Sequence, residues 1–425
     1  MKKRLKVAMI APPWLNMPPL GYGGIENVVH YLTLELQKLG AEVHLFSVGD
    51  TTTKAHRLNY AYDDGQYRAI HRPMYESGAI PINHIMLALD TIKAAGDFDI
   101  IHDHNGFIGP AMMAELPPQL FPPVLHTLHG PFSTDEVVAS GVPDNRPMYA
   151  RFKYRKRLHF NGISHSQLRD APPELRHRLV DVVHNAVDLE DLPLQPEKGD
   201  YFITLARFNR DKGIGEAARI CEELDLKLKM AGIVGPIFAP RQMILELANP
   251  NSPYRTNPDF MYFRDQVLPH TIPGQIEYVG AVNGKQKLDF ISRAKALLWP
   301  IDWEEPFGMA PIEVMATGTP VVAYRRGAVP EMIIHGVNGF IADTPEEFKE
   351  YMLRVDEIKP EDCRAVVEER FSASVMAAKY LDRYQQIIAQ HTPKRSLSYA
   401  KLAQASRAGL MQAGAFAEVL DDEAA

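Results

Sequence analysis

Two successive series of short apolar runs, with a helix-length segment between most neighbouring runs, constrain the fold of this chain more than any other feature. The first series opens with a strand over Leu5–Ala11. A helix over Ile25–Leu39 follows, with Ile25, Val28, Val29, Leu32, Leu36 and Leu39 on one face and Gly40 at its end. Val43–Ser47, 98–104, 123–130, 160–166 and 181–188 read as further short strands. Apolar runs of this kind, separated by helices, belong to a parallel sheet covered on both faces. The stretch LEDLPLQPEKGD, 189–200, is rich in proline and acid, has no period, and reads as a linker. A second series then places strands at 201–208, 226–233, 275–282, 296–301 and 320–325, with a helix over Met309–Thr317 closed by Gly318. Between them, 234–274 carries several prolines and little period, which predicts an insertion or long loop. Phe348–Ile388 reads helical, and the tail beyond Gln390 is polar, alanine-rich and acidic at its end, as in a loose helix or a disordered segment.

The fold class is therefore α/β, with two tandem Rossmann-like doubly wound domains over 1–192 and 193–370 facing a central crevice, and a polar tail over 393–425. A chain of 425 residues exceeds what one core usually organises. In such folds ligands bind outside the carboxyl ends of the strands, so the loops there are where chemistry is expected. Forty-six Lys and Arg against 53 Asp and Glu leave a net charge of −7, which removes an overall basic field for nucleic acid. Two cysteines, Cys221 and Cys363, are too few for a disulfide framework and suit a reducing cytoplasm. The start MKKRLKVAMIAPPW mimics a signal peptide, but its apolar run covers only Val7–Ala11 and ends at Pro12-Pro13. No stretch approaches the roughly 18 apolar residues of a membrane span.

Three loops carry candidate chemistry. GYGGIE, 21–26, follows the first strand and opens the first helix. Gly23 and Gly24 let backbone amides approach a ligand, although a plain glycine-rich turn accounts for them equally well. It is not a dinucleotide fingerprint. ARFNRDKG, 206–213, sets Arg207 and Lys212 just past the first strand of the second domain, where two cations suit a diphosphate. EEPFGMAPIE, 304–313, spans a helix start. The amides of Phe307, Gly308, Met309 and Ala310 lack intrahelical partners and can cradle phosphate oxygens, and Pro311 needs no partner for its missing N–H. Glu305 precedes those amides. Glu313 lies inside the helix, where a carboxylate can accept from the vicinal hydroxyls of a ribose. Singly, either glutamate is more often a cap or a solvated face; together with the amides they read as a grip on a nucleoside diphosphate.

With Pro-Phe-Gly inside Glu305-x7-Glu313, the chain resembles the family 4 retaining glycosyltransferases of the GT-B fold. HNAVD, YVGAV and MATGTPVVAYRRGAVPEMIIHGVNGFI carry the likeness further, and it runs from Lys6 to about Ile388. The resemblance implies these roles: Glu313 binds the donor ribose, Arg207 and Lys212 neutralise the diphosphate, and Gly308, Met309 and Ala310 donate amides. Glu305 and His129 contact the transferred sugar, the backbone around Val282 holds the base, and Gly23 and Gly24 approach the diphosphate and acceptor. His104 and Asn185 lie on the acceptor side; Ala186 stands where the family usually has glycine. It further implies a hexose-type sugar moved from UDP or GDP to a hydroxyl acceptor. Transfer would retain configuration, with the leaving phosphate taking the acceptor's proton and no metal or cofactor. A last helix over 371–392 should cross back onto domain one, and a hinge there and at the linker would allow closure.

Other features read more plainly. His102 and His104 lack the accompanying ligands of a zinc site. RFKYRKR, 151–157, suits a solvated amphipathic helix, with peripheral contact to an anionic membrane as the alternative. A phosphorylase or nucleotide-sugar epimerase of the same fold, or a non-catalytic nucleotide-sugar binder, remain alternatives. The acceptor, the sugar, the base and the oligomeric state are not readable.

Overall fold

The computed structural model describes residues 4–391 except 20, 22, 71 and 140, with the backbone alone at 136 and 137. The tail over 393–425 lies outside the described residues. Two parallel sheets organise the chain. The first holds β1 (Lys6–Ile10), β2 (Glu42–Ser47), β3 (Arg57–Tyr60), β4 (Ile100–Asp103), β5 (Val124–Leu128), β6 (Leu158–Gly162) and β7 (Leu179–Val182) in the order 3-2-1-4-5-6-7. The second holds β8 (Tyr201–Leu205), β9 (Lys227–Ala231), β10 (Ile276–Gly280), β11 (Leu297–Trp299), β12 (Val321–Tyr324) and β13 (Gly339–Ala342) in the order 10-9-8-11-12-13. Each order reverses once, between β1 and β4 and between β8 and β11. Those are the switch points at which doubly wound sheets bind ligands.

The strands behave as their composition requires. Four of the five residues of β1 and all of β5 are buried, because helices cover both faces. α1 (Gly24–Lys38) buries Val28, Val29, Leu32 and Leu36 against β1 and β2. Leu39 departs from expectation: it lies past the helix and is largely exposed, and Gly40 turns the chain with φ 89°. β3 and β13 were not legible. RLNY has no apolar run because β3 is an edge strand, and GFIA is four residues long.

Residues 234–274 are not a long loop. They form helices over Pro240–Ala248 and Pro258–Tyr262, the second continuing through Val267. Both prolines stand at the first helical position, where proline begins a helix rather than breaking one. The 151–157 run is a single turn of 3-10 helix over Arg151–Tyr154, with Phe152 drawn into the core and Tyr154 left exposed, rather than an amphipathic helix.

The helical stretch after 345 is three helices, the last over Ala373–His391. This crossing helix packs Met376, Ala377, Tyr380, Tyr384 and Ile387 into the same cluster as Val7, Met9, Val28 and Leu32. The linker has neither helix nor strand but is pinned along much of its length. Lys198 donates to the carbonyls of Ser292 (2.8 Å) and Thr317 (3.0 Å) and to Thr319 Oγ1 (2.8 Å). Arg364 donates to the carbonyls of Leu189 and Leu192.

Candidate active site

The two switch points are joined through the starts of two helices. α1 begins at Gly24, after β1. A second helix, α2 (Met309–Ala316), begins after β11. A Cβ placed on Gly24 would lie 3.7 Å from Met309 Cγ, and Met309 packs against the cores of both halves. Gly23 admits no side chain, since a Cβ would stand 2.7 Å from Pro19. Gly308 caps α2 with φ 94°, and a Cβ there would meet the Trp299 ring at 2.5 Å. Glycine lets the chain turn into the helix over that indole, so the amides of Gly308, Met309 and Ala310 stand at the positive end of its dipole. The Phe307 ring is buried, 5.8 Å from the His184 ring and 5.9 Å from that of Phe371, so only its backbone can meet a ligand.

Both glutamates have cations beside them. Glu305 is buried and pairs with Lys212. Trp303 Nε1 donates to the same carboxylate oxygen at 3.0 Å, and Lys212 Nζ lies 4.8 Å over the Trp303 ring. Lys212 therefore sits at the mouth of α2, held by the carboxylate that precedes it. Glu313 is equally buried and accepts from Lys287 Nζ at 2.7 Å. Sequence reading did not single out Lys287. Arg207, after β8, is about half-exposed, with Nε 3.7 Å from Asp259. Val282 follows β10 and is partly buried against the second core.

The first half contributes histidines. His104, after β4, is fully buried and His129, after β5, partly so; their rings stack at 5.1 Å with His104 Nδ1 2.8 Å from His129 Nε2. His104 Nε2 faces Met9 Sδ, which accepts only weakly and cannot donate. That nitrogen therefore carries the proton, so His104 Nδ1 accepts from His129 Nε2–H. Burial, reinforced by the nearby His126, pushes His129 down to about 3; His104 is likewise held well below its usual value, and both are neutral at pH 7. The loop carrying His129 is clamped by Gln167, whose amide donates to the carbonyls of Leu128 (2.8 Å) and Gly130 (2.7 Å). Behind His104, His102 bonds Tyr384 Oη of the crossing helix at 2.6 Å and Thr127 Oγ1 at 2.7 Å.

Asn185 follows His184, and its buried Oδ1 has no partner among the described residues. Ala186 beside it is buried with an ordinary φ, so this element does not need the glycine. His184 Nε2 lies 2.9 Å from Glu331, which also accepts the amides of His165 (2.9 Å) and Ser166 (2.7 Å), tying the two halves together. Glu26 was missed by sequence reading. It lies in the first turn of α1, is 5% exposed, and has no cation beside it among the described residues. Its Oε2 is 3.1 Å from where a Gly23 Cβ would stand, and burial pushes its carboxyl up to about 7. Among the described residues no three His, Cys, Asp or Glu side chains converge as a metal set, and no helix is long and apolar enough to cross a membrane.

Comparison with known proteins agrees with this architecture. Residues 22–191 match the family model Glycosyltransferase Family 4, and 190–370 match Glycosyl transferases group 1. N-acetyl-alpha-D-glucosaminyl L-malate synthase of Bacillus anthracis is 23% identical over 364 residues, covering 84% of this chain and 90% of that protein. Among solved structures, sucrose-phosphate synthase from Thermosynechococcus elongatus superposes with TM-score 0.67 at 17% identity, over 91% of this chain and all of that one. HepE from Anabaena, in complex with UDP and glucose, gives 0.62 at 15% identity, over 90% of this chain and all of that one. At those identities the structural likeness shows the fold alone. The two family matches, which together cover residues 22–370, make this chain a member of the group 1, family 4 glycosyltransferases with the two-domain GT-B fold.

Proposed function

We propose that this glycosyltransferase moves a hexose-type sugar from a UDP- or GDP-sugar to a hydroxyl acceptor, with retention of configuration and without a metal ion or cofactor. The observation that carries the reading is the start of α2: first-turn amides at Gly308–Ala310, with Lys212 paired to Glu305 on one side and Lys287 paired to Glu313 on the other. That is fixed positive potential for a diphosphate beside a buried carboxylate suited to a ribose. The UDP and UDP-glucose complexes of the similarly folded HepE support a nucleotide-sugar donor.

In this reading the acceptor oxygen bonds to the anomeric carbon as the bond from that carbon to the diphosphate oxygen breaks. The electron pair leaves with the nucleoside diphosphate, and the acceptor's proton goes to the leaving phosphate on the same face. Arg207, Lys212 and the α2 amides stabilise the departing charge. Glu305 and His129 hold the sugar, His129 with its Nε2–H committed to His104. Glu313 holds the ribose, Val282 the base, and Gly23 and Gly24 face the diphosphate. Lys212 must exchange Glu305 for phosphate oxygen, or bridge both, when the donor arrives. The test is proton NMR of UDP-glucose and GDP-mannose incubated with the enzyme and EDTA. The reading expects nucleoside diphosphate release with the donor's anomeric configuration in the first-formed product; an inverted anomer, or release abolished by EDTA, contradicts it.

A further inference from the structure

We propose that the pocket between the loops after β1 and β4 takes the acceptor, and that this acceptor is an uncharged alcohol on an apolar, ring-sized body; the proposal rests on the transferase reading above. The pocket has a volume of about 370 Å³. Its walls are Trp14, Ile25, Ile70, Met74, Phe107 and Ile108. Met74 and Phe107 are about half-exposed and Ile70 more than a third, so large apolar side chains stand in solvent around one concavity. Such a patch marks a surface that something apolar covers.

What the lining lacks decides the class of ligand. One cation lines it among the described residues, Arg72, and its guanidinium is 3.3 Å from Glu76 on the open surface. His104, at the inner end, is neutral at pH 7 because burial and its neighbouring histidines disfavour the charged ring. No carboxylate lines the pocket among the described residues. A phosphate or carboxylate acceptor would be desolvated here without a partner, which is costly. A free sugar would find few polar groups for its hydroxyls.

One polar atom is unaccounted for. Asn105 is 7% exposed and lines the pocket beside His104. Its amide nitrogen donates to the Ile10 carbonyl (3.2 Å) and to Asp103 Oδ1 (2.9 Å), fixing the amide's orientation. Its buried Oδ1 has no partner among the described residues. That oxygen has almost no accessible surface, so it offers nothing to a ligand in the pocket. A hydroxyl acceptor on an apolar body covers the walls and brings no charge to be desolvated there. Its lining residues adjoin the candidate site: Ile25 follows Gly24, where a Cβ would lie 3.7 Å from Met309, and His104 is bonded to His129.

The test is saturation-transfer NMR of 2-naphthol and of glucose 6-phosphate with the UDP-saturated wild-type protein and with Phe107→Asp and Arg72→Ala. Circular dichroism and unliganded melting report whether each variant is folded. The proposal expects 2-naphthol to bind wild type and to lose at least tenfold in affinity in Phe107→Asp, with no binding of glucose 6-phosphate. Failure of 2-naphthol to bind, indifference to Phe107→Asp, or glucose 6-phosphate binding that Arg72→Ala abolishes overturns it. A separate titration of UDP and GDP reports on the donor reading, so loss of nucleotide binding sinks that reading without deciding this one.

Discussion

Replacing Glu26 by glutamine tests the electrostatics of the crevice in a way that needs no substrate. Glu26 is buried beside Gly23 with no cation beside it among the described residues, and burial raises its carboxyl from 4.5 to about 7. Below pH 4.5 both folded and unfolded chains hold this proton, and the residue makes stability no pH-dependent contribution. Between 4.5 and 7 the unfolded chain releases it first, so stability falls as pH rises. Above 7 both forms are ionised and the full penalty stands. A shift from 4.5 to about 7, at 1.36 kcal/mol per unit, sets that penalty at about 3 kcal/mol. Glutamine keeps the shape and cannot ionise. Glu26→Gln should therefore be more stable than wild type by about 2–3 kcal/mol at pH 8 and nearly equal to it at pH 4.5. Urea unfolding followed by circular dichroism at the two pH values measures the difference. Equal or lower stability of the variant at pH 8 would refute the reasoning. The functional corollary is that a neutral carboxyl does not repel a diphosphate at this loop, whereas an ionised one does. Wild-type affinity for nucleoside diphosphate should thus fall above pH 7 in a way the glutamine variant does not share.

Other consequences follow from the same geometry. Lys212→Met should lower turnover by about 10²–10³-fold through lost stabilisation of the leaving group. It also leaves Glu305 buried without its cation; the Lys212→Met, Glu305→Gln double variant should recover the melting temperature and not the turnover, as differential scanning fluorimetry and a diphosphate-release assay would show. Gly308→Ala should cost at least about 2 kcal/mol, from positive φ and collision with Trp299, and should weaken nucleotide binding in calorimetry. Tyr384→Phe leaves a ring nitrogen of His102 unpaired in the core and should destabilise by about 1–3 kcal/mol in thermal melts. Glu313→Gln should reduce the preference for UDP over 2′-deoxy-UDP by about tenfold, read by competition binding.

How far the sequence could be read divides along physical lines. Strands buried on both faces announce themselves as apolar runs, and the Pro-Phe-Gly helix start announces its amides, so both sheets and the α2 end of the site were legible. Edge strand β3, exposed at both ends and without an apolar run, was not. Prolines at 240 and 258 misled because a proline that starts a helix and one that breaks it are the same letter. Glu26 was legible only as an acid in a helix's first turn, the position the dipole favours; its burial is a product of the fold and leaves no mark in the spacing. Lys287 and Tyr384 were invisible because their partners, Glu313 and His102, are 26 and 282 residues away. Spacing within one segment reveals groups that share an element, not pairs made by the fold.

The most direct test of the account is calorimetric titration of UDP and GDP into wild type and into Lys212→Met. The account predicts that one of the two nucleotides binds wild type and that the substitution weakens it at least tenfold. No binding of either nucleotide to the wild-type protein, or binding that ignores the substitution, would contradict the assignment of the α2 start as the diphosphate site.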